Sequence, residues 1–212
     1  YREYKLNLSG FQDILTNIIF FFVSIFIFIF SIGPDKETIS VIGIGIIWTL
    51  LLLSSTLSLR KFYQDDFDNG NLLIMHLNGF SFGFIAILKT FSHFMFVQVP
   101  FLFSIPISSI LLSIENDKLI YLFASFAIGS LILSCLGSIS SSMNLMNQRN
   151  FLLGSVIVMI FSVPIIIFSV GIINMEENFN SLISVLFGIL LIVFAINPWA
   201  SGLCLKLSLE NS

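Results

Sequence analysis

Side chains able to carry chemistry are scarce in this chain of 212 residues, and the scarcity is informative. There are 2 histidines and 2 cysteines, and 10% of the residues are charged. Cys135 and Cys204 stand alone inside apolar runs, without the paired spacing of a disulfide framework, zinc site or redox motif. Each reads as a small packing residue. His93 is the one residue that could approach a haem iron, which takes His or Met ligands. The methionines Met75, Met95, Met143, Met146, Met159 and Met175 share no face with His93 or His76, so no metal site is expected and hydrogen-bonded packing is the commoner role for His93. The acidic run Asp65-Asp66-Phe67-Asp68-Asn69-Gly70 invites a calcium reading. Counted from Asp66, however, the position that needs Gly is Asn71 and the one that needs Glu is Leu77. Two readings of the run remain: a solvated acidic turn, or a docking element in which Phe62, Tyr63 and Phe67 anchor a partner amid charges. No Gly-Lys pair occurs anywhere, so the chain has no P-loop, and any ATPase acting with it is a separate subunit.

The elements that position these residues are membrane spans. Hydrophobic residues make up 57% of the chain, and its charged fraction is too small for a normal water-facing surface. Six apolar stretches each approach the ~20 residues a helix needs to cross the hydrocarbon core. They are Ile14–Ile32, Ile39–Leu59, Phe91–Ser113, Leu119–Ser142, Phe151–Ile173 and Leu182–Leu205. Continuous Ile, Leu and Phe runs argue against a β-barrel, whose strands alternate. The first run is too long for a signal-peptide core and is read as a retained span. Arg2, Lys5, Arg60, Lys61, Lys89, Arg149 and Lys206 fall on one side of this pattern, and Lys36 and Lys118 on the other. The positive-inside rule therefore places both termini in the cytosol. The segment 60–90 is the largest on that side, and its second half, Leu72–Lys89, is apolar but broken by His76, Asn78, Gly79, Ser81 and Gly83, so it is expected to form one or two short interfacial helices rather than a seventh span. Arg2–Asp13 is expected to form a similar elbow helix.

The six spans as drawn hold no Asp, Glu, Lys or Arg in their interiors, which disfavours a proton-driven carrier. His93, Gln98 and Asn197 are their polar candidates. Pro100, Pro106, Pro164 and Pro198 are expected to kink their helices. Ser130, Ser134 and Ser138, beside Gly129 and Gly137, mark a close-packing face, within the chain or to a second copy. There is no basic stripe for nucleic acid. No internal repeat or linker is evident, so residues 1–212 read as a single transmembrane domain.

These residues resemble the CcmB family, the membrane subunit of the cytochrome c maturation ABC system. The resemblance is carried by Ile32-Gly33-Pro34, Gly45-Ile46-Ile47-Trp48 and Leu57-Ser58-Leu59. It continues through Phe62, Asp65-Asp66, Asp68, Gly70-Asn71-Leu72, Lys89, His93, Pro100 and Pro164-Ile165-Ile166-Ile167-Phe168, and closes with Asn197-Pro198-Trp199-Ala200 and Lys206-Leu207-Ser208. It covers nearly the whole chain. It departs at Ile18 and Ile44, where the family often has Pro, and at Leu73, where Glu is common. The resemblance implies an ABC-2-type permease-like bundle, non-catalytic in itself, paired with an ABC ATPase subunit that holds ATP, and present in two copies. It also implies a haem-handling membrane protein and a periplasmic haem chaperone as partners, with haem as the handled ligand. The ATPase is expected to dock on Phe62, Asp65, Asp66, Asp68 and Gly70. The expected location is a bacterial inner membrane, with the mitochondrial inner membrane as the alternative.

Overall fold

The computed structural model describes residues 2–33, 35–59, 62–146, 152–174 and 179–210. Among these residues there is no strand. The helices are α1 (Arg2–Ile32), α2 (Lys36–Ser58), α3 (Gln64–Asp68), α4 (Asn71–Leu77), α5 (Phe82–His93), α6 (Val99–Leu111), α7 (Leu119–Met146), α8 (Leu152–Asn174) and α9 (Phe179–Glu210). A π turn, Phe94–Gln98, joins α5 to α6. Six helical segments are long and apolar enough to cross a membrane: Ile14–Ile32, Lys36–Ser58, Phe82–Leu111, Asn116–Met146, Gly154–Ile173 and Phe179–Glu210. The chain is an all-α membrane protein of six spans.

Contacts at the helix ends show how the spans alternate. Phe62, Tyr63, Leu72, Ile85, Leu145 and Leu205 form one buried cluster. The close of α2, the start of α5 and the closes of α7 and α9 therefore meet at one end of the bundle, here called the loop end. At the other end Leu112, just beyond α6, lies against Gly43 near the start of α2. Tyr121 meets Phe179 edge-to-face at 5.1 Å, joining the starts of α7 and α9. There α2 is capped by Asp35, whose carboxylate accepts from the Glu37 N–H at 3.2 Å and from the Thr38 hydroxyl. The Thr38 hydroxyl holds the Asp35 carboxyl below its ordinary pKa.

Helix α7 is the central post, packing against both α8 and α9. Its small residues set the depth of its neighbours. A Cβ on Gly129 would lie 2.3 Å from Trp48 Cη2, so the fully buried Trp48 ring occupies space that only glycine leaves open. Phe126 packs on the same indole, its centroid 5.6 Å away.

The third span differs most from expectation. It begins at Phe82 rather than Phe91, so Phe82–Lys89 belongs to it and α4 is the one short helix left from the apolar half of the connection. Two of the residues that suggested breaks have other roles. Ser81 is an N-cap, its hydroxyl accepting from the Phe84 N–H at 3.3 Å. Gly83 admits the backbone of α9, since a Cβ there would come within 3.0 Å of the Pro198 carbonyl oxygen. A run of 30 residues at about 1.5 Å per residue exceeds the ~30 Å hydrocarbon core. The first turns of α5 accordingly reach beyond the core, and Lys89, expected in the loop, is a helical residue of this span. Pro100 sits at the start of α6, where the π turn has already changed the hydrogen-bond register, while Pro106, Pro164 and Pro198 lie inside helices without ending them. The expected elbow is not a separate element, because α1 runs unbroken from Arg2 into the first span. Arg60, Lys61, Arg149, Glu176 and Glu177 lie outside the described residues.

The packing of Trp48 against α7 gives a paired test. Gly129→Ala is expected to destabilise the protein by about 1–3 kcal/mol through overpacking. Gly45→Ala, with nothing within 4 Å of its added methyl, should be neutral or stabilising by up to ~1 kcal/mol. Unfolding midpoints of the two variants in detergent provide the comparison.

Candidate functional site

The connection after α2 folds back onto the loop end as a small hairpin of α3 and α4. Phe62 and Tyr63 turn inward at its base; Phe62 is 6% exposed and Tyr63 fully buried. The Phe62 ring lies 4.9 Å from Tyr63 and 4.7 Å from His93, centroid to centroid. This corrects the reading of Phe62 and Tyr63 as partner-facing anchors: they fasten the hairpin to its own bundle. Gly137 supplies the space, since a Cβ there would fall 2.7 Å from Leu59 Cδ2 and 3.8 Å from the Phe62 ring. Phe67, half-buried, packs on the same cluster.

The three aspartates separate. Asp65 and Asp68 are exposed, and Asp68 accepts a hydrogen bond from Gln64 Nε2 at 2.9 Å. Asp66 turns toward α5 and forms an ion pair with Lys89, while Asn71 Nδ2 donates to its other oxygen at 3.2 Å. Gly70 joins α3 to α4 with φ of 70°, a left-handed conformation that glycine adopts without Cβ strain.

Beneath the hairpin the polar groups of the spans form a hydrogen-bond chain with a single sense. Thr90 Oγ1 donates to the Ala86 carbonyl at 2.8 Å, and Asn197 Nδ2 donates to Thr90 Oγ1 at 2.9 Å. Ser201 Oγ donates to Asn197 Oδ1 at 2.9 Å. The Ser201 proton is thereby used, so the 3.1 Å contact to Ser138 requires Ser138 to donate. By the same reasoning the Tyr63 hydroxyl donates to Ser138 across 2.7 Å. Burial pushes the Tyr63 phenol well above its usual pKa, which keeps that donor protonated. The loop is thus tied in turn to α7, α9 and α5.

A second tie runs through His93. Its Nε2 lies 2.8 Å from Ser58 Oγ and its Nδ1 3.1 Å from Ser134 Oγ. Both ring nitrogens lie within hydrogen-bond distance of hydroxyls of α2 and α7, which is a packing arrangement. Gln98 donates to Ser55 Oγ at 2.9 Å. The three polar candidates of the spans, His93, Gln98 and Asn197, are therefore all buried and all bonded to serines. The Ser130, Ser134 and Ser138 stripe is more than a close-packing face, because two of its hydroxyls receive the His93 and Tyr63 contacts.

Comparison with known proteins adds a decisive observation. The family described as CcmB protein matches residues 1–208. The chain belongs to the CcmB family. Among its relatives, heme exporter protein B of Haemophilus influenzae is 27% identical over 213 aligned positions, 99% of this chain and 96% of the relative. Heme exporter protein B of Rhodobacter capsulatus is 24% identical over 99% of this chain and 97% of the relative. That of Escherichia coli K12 is 31% identical over 47% of this chain and 46% of the relative.

In this CcmB-family chain, sequence reasoning overlooked the partners of Lys89, Tyr63, Thr90, Ser201 and Asn197. A signal existed for part of this set: Ser138 and Ser201 are small polar residues in apolar runs that also hold Gly137 and Gly202, the composition of close interhelical contacts. Nothing in the spacing revealed which serine would meet which donor.

The direction of the chain predicts an asymmetry. Tyr63→Phe removes only the first donor and strands no proton, so it should cost about 1 kcal/mol. Asn197→Leu leaves the Ser201 donor without an acceptor and should cost more, about 2–4 kcal/mol. Equal effects on chemical unfolding in detergent would contradict the assigned sense.

Proposed function

We propose that this chain is the membrane subunit of an ATP-driven complex in c-type cytochrome biogenesis, and that a separate ATPase subunit docks on the α3–α4 hairpin. The family match across residues 1–208 carries the reading, supported by near full-length relatives named heme exporter protein B. The chain has no P-loop of its own, so it is a non-catalytic partner and ATP is bound by the other subunit. The skew of Lys and Arg supports a loop end that faces the cytosol, and the bacterial relatives support a bacterial inner membrane as its location. There the exposed carboxylates of Asp65 and Asp68 are offered to basic groups on the ATPase, steering its approach and fixing its register. Gly70 holds the turn that presents them.

The complex is completed by a second copy of this chain, a haem-handling membrane protein and a haem chaperone. ATP hydrolysis serves either haem delivery or release of the haem-loaded chaperone. The packing of buried His93 between serines of α2 and α7 favours release, with haem held by another subunit.

Two measurements test this reading. Charge reversal at both exposed positions, Asp65→Lys with Asp68→Lys, should reduce co-purification of the ATPase by about ten-fold or more, and more strongly at low salt; undiminished binding would remove the docking surface. Haem staining of membranes from cells with and without the chain should show loss of c-type cytochromes in its absence. A chaperone still loaded with haem in those cells supports release, an empty chaperone supports delivery, and normal cytochromes would refute the function.

A further inference from the structure

The hairpin and the third span face each other across a hollow. A half-open cavity of about 350 Å³ lies between α4 and α5, lined by Met75, Ile85, Leu88, Lys89 and Ser92. Packing there is incomplete, and α3 itself has no fully buried residue. The Asp66–Lys89 ion pair bridges the two elements, its partners 23 positions apart in sequence. Lys89 Nζ meets Oδ2, and Oδ1 is taken by Asn71. With side chains 27% and 19% exposed, the pair is better shielded than the solvated surface pairs that contribute little.

Lys89 also occupies a mechanically distinctive position. The next residue, Thr90, is bonded to Asn197, and His93, one turn on, is held between Ser58 and Ser134. Immediately beyond lies the π turn Phe94–Gln98 and then Pro100. A π turn is a less stable register than the α-helix, and proline lacks the N–H that would restore it. Helix α5 is therefore a rigid rod with a joint at its inner end and Lys89 near its middle.

From this juxtaposition we infer that Asp66 is a clasp rather than a docking group: through Lys89 it makes α5 follow the hairpin, so that a displacement of the hairpin bends the third span at the π turn. The inference rests on the reading that an ATPase acts on the hairpin. It divides the acidic run by role, with Asp65 and Asp68 facing the partner and Asp66 a positioning residue that acts through Lys89.

The test is a charge swap in cells carrying the full maturation system, read both by ATPase co-purification and by haem-stained c-type cytochromes. Asp66→Lys and Lys89→Asp should each keep most of the bound ATPase yet lower cytochrome output by about ten-fold. The swapped pair, D66K with K89D, should recover at least half of the output. Swapped protein no more active than either single variant would overturn the clasp, as would single variants of normal output. If the single variants fail to accumulate, D66C with K89C in a Cys135→Ser, Cys204→Ser background replaces them. Joining its two thiols with a short bifunctional reagent should restore output, and complete cross-linking without recovery would overturn the proposal. If the unaltered chain captures no ATPase, the docking reading fails, and recovery in the swapped pair still decides whether Asp66 acts through Lys89.

Discussion

A bilayer core offers no water to polar groups, so each one carried into it must be satisfied by the chain itself. Toward the far end of the bundle the constraint is met locally: Ser104, Ser108 and Ser125 donate back to carbonyls three or four residues earlier in their own helices. Toward the loop end Ser142 and Ser208 also donate within their own helices, and Ser140 Oγ and Asn144 Nδ2 are buried without a partner among the described residues, but bonds between helices are added. Tyr63, Ser138, Ser201, Asn197 and Thr90 bond in sequence, and His93 spans Ser58 and Ser134. Local bonds leave helices free to slide, whereas interhelical bonds fix their mutual height and rotation. The interhelical bonds are consequently concentrated at the end that carries the hairpin.

That difference bears on the proposed docking of an ATPase at the loop end. A cytosolic partner needs a handle that moves as a unit with the spans beneath it. Phe62 and Tyr63 are buried in the loop-end cluster, Gly70 sets the turn, and the exposed carboxylates point outward. The aromatic residues that looked suited to gripping a partner are instead consumed in gripping the bundle. What the hairpin leaves for recognition is charge, which favours rapid and salt-sensitive association over burial of a large apolar interface.

Most of the architecture was legible because hydropathy is additive along a chain. Six long apolar runs need no knowledge of tertiary contact, and among the described residues six helices are long and apolar enough to cross a membrane. The error at the third span has a physical origin. Ser81 and Gly83 read as breakers by type, but a serine can equally begin a helix and a glycine can admit another backbone, and only the position of α9 decides between these roles. The site divides in the same way. An acidic turn with a glycine was visible in order, whereas the burial of Phe62 depends on the absent side chain of Gly137, as far along the chain from it as Ser138 is from Tyr63, 75 positions. The engagement of Asp66 by Lys89 likewise depended on a lysine that had been assigned to the wrong element.

The π turn also bears on chain length. Five residues, Phe94–Gln98, occupy it, and such a turn is equivalent to one residue inserted into an otherwise regular α-helix. Each residue of an α-helix advances the azimuth by about 100°. The wider turn takes up that extra residue locally, so the helices on either side of it face as they would in an uninterrupted α-helix, and loss of a single residue between His93 and Val99 is absorbed when the turn closes. Loss of a residue from the regular helix between Thr90 and His93 has no such outlet, and it would swing Lys89 and Thr90 away from Asp66 and Asn197 by about that angle, although neither had been altered. Within the third span a one-residue deletion should therefore be better tolerated at the π turn than in the helix leading up to it.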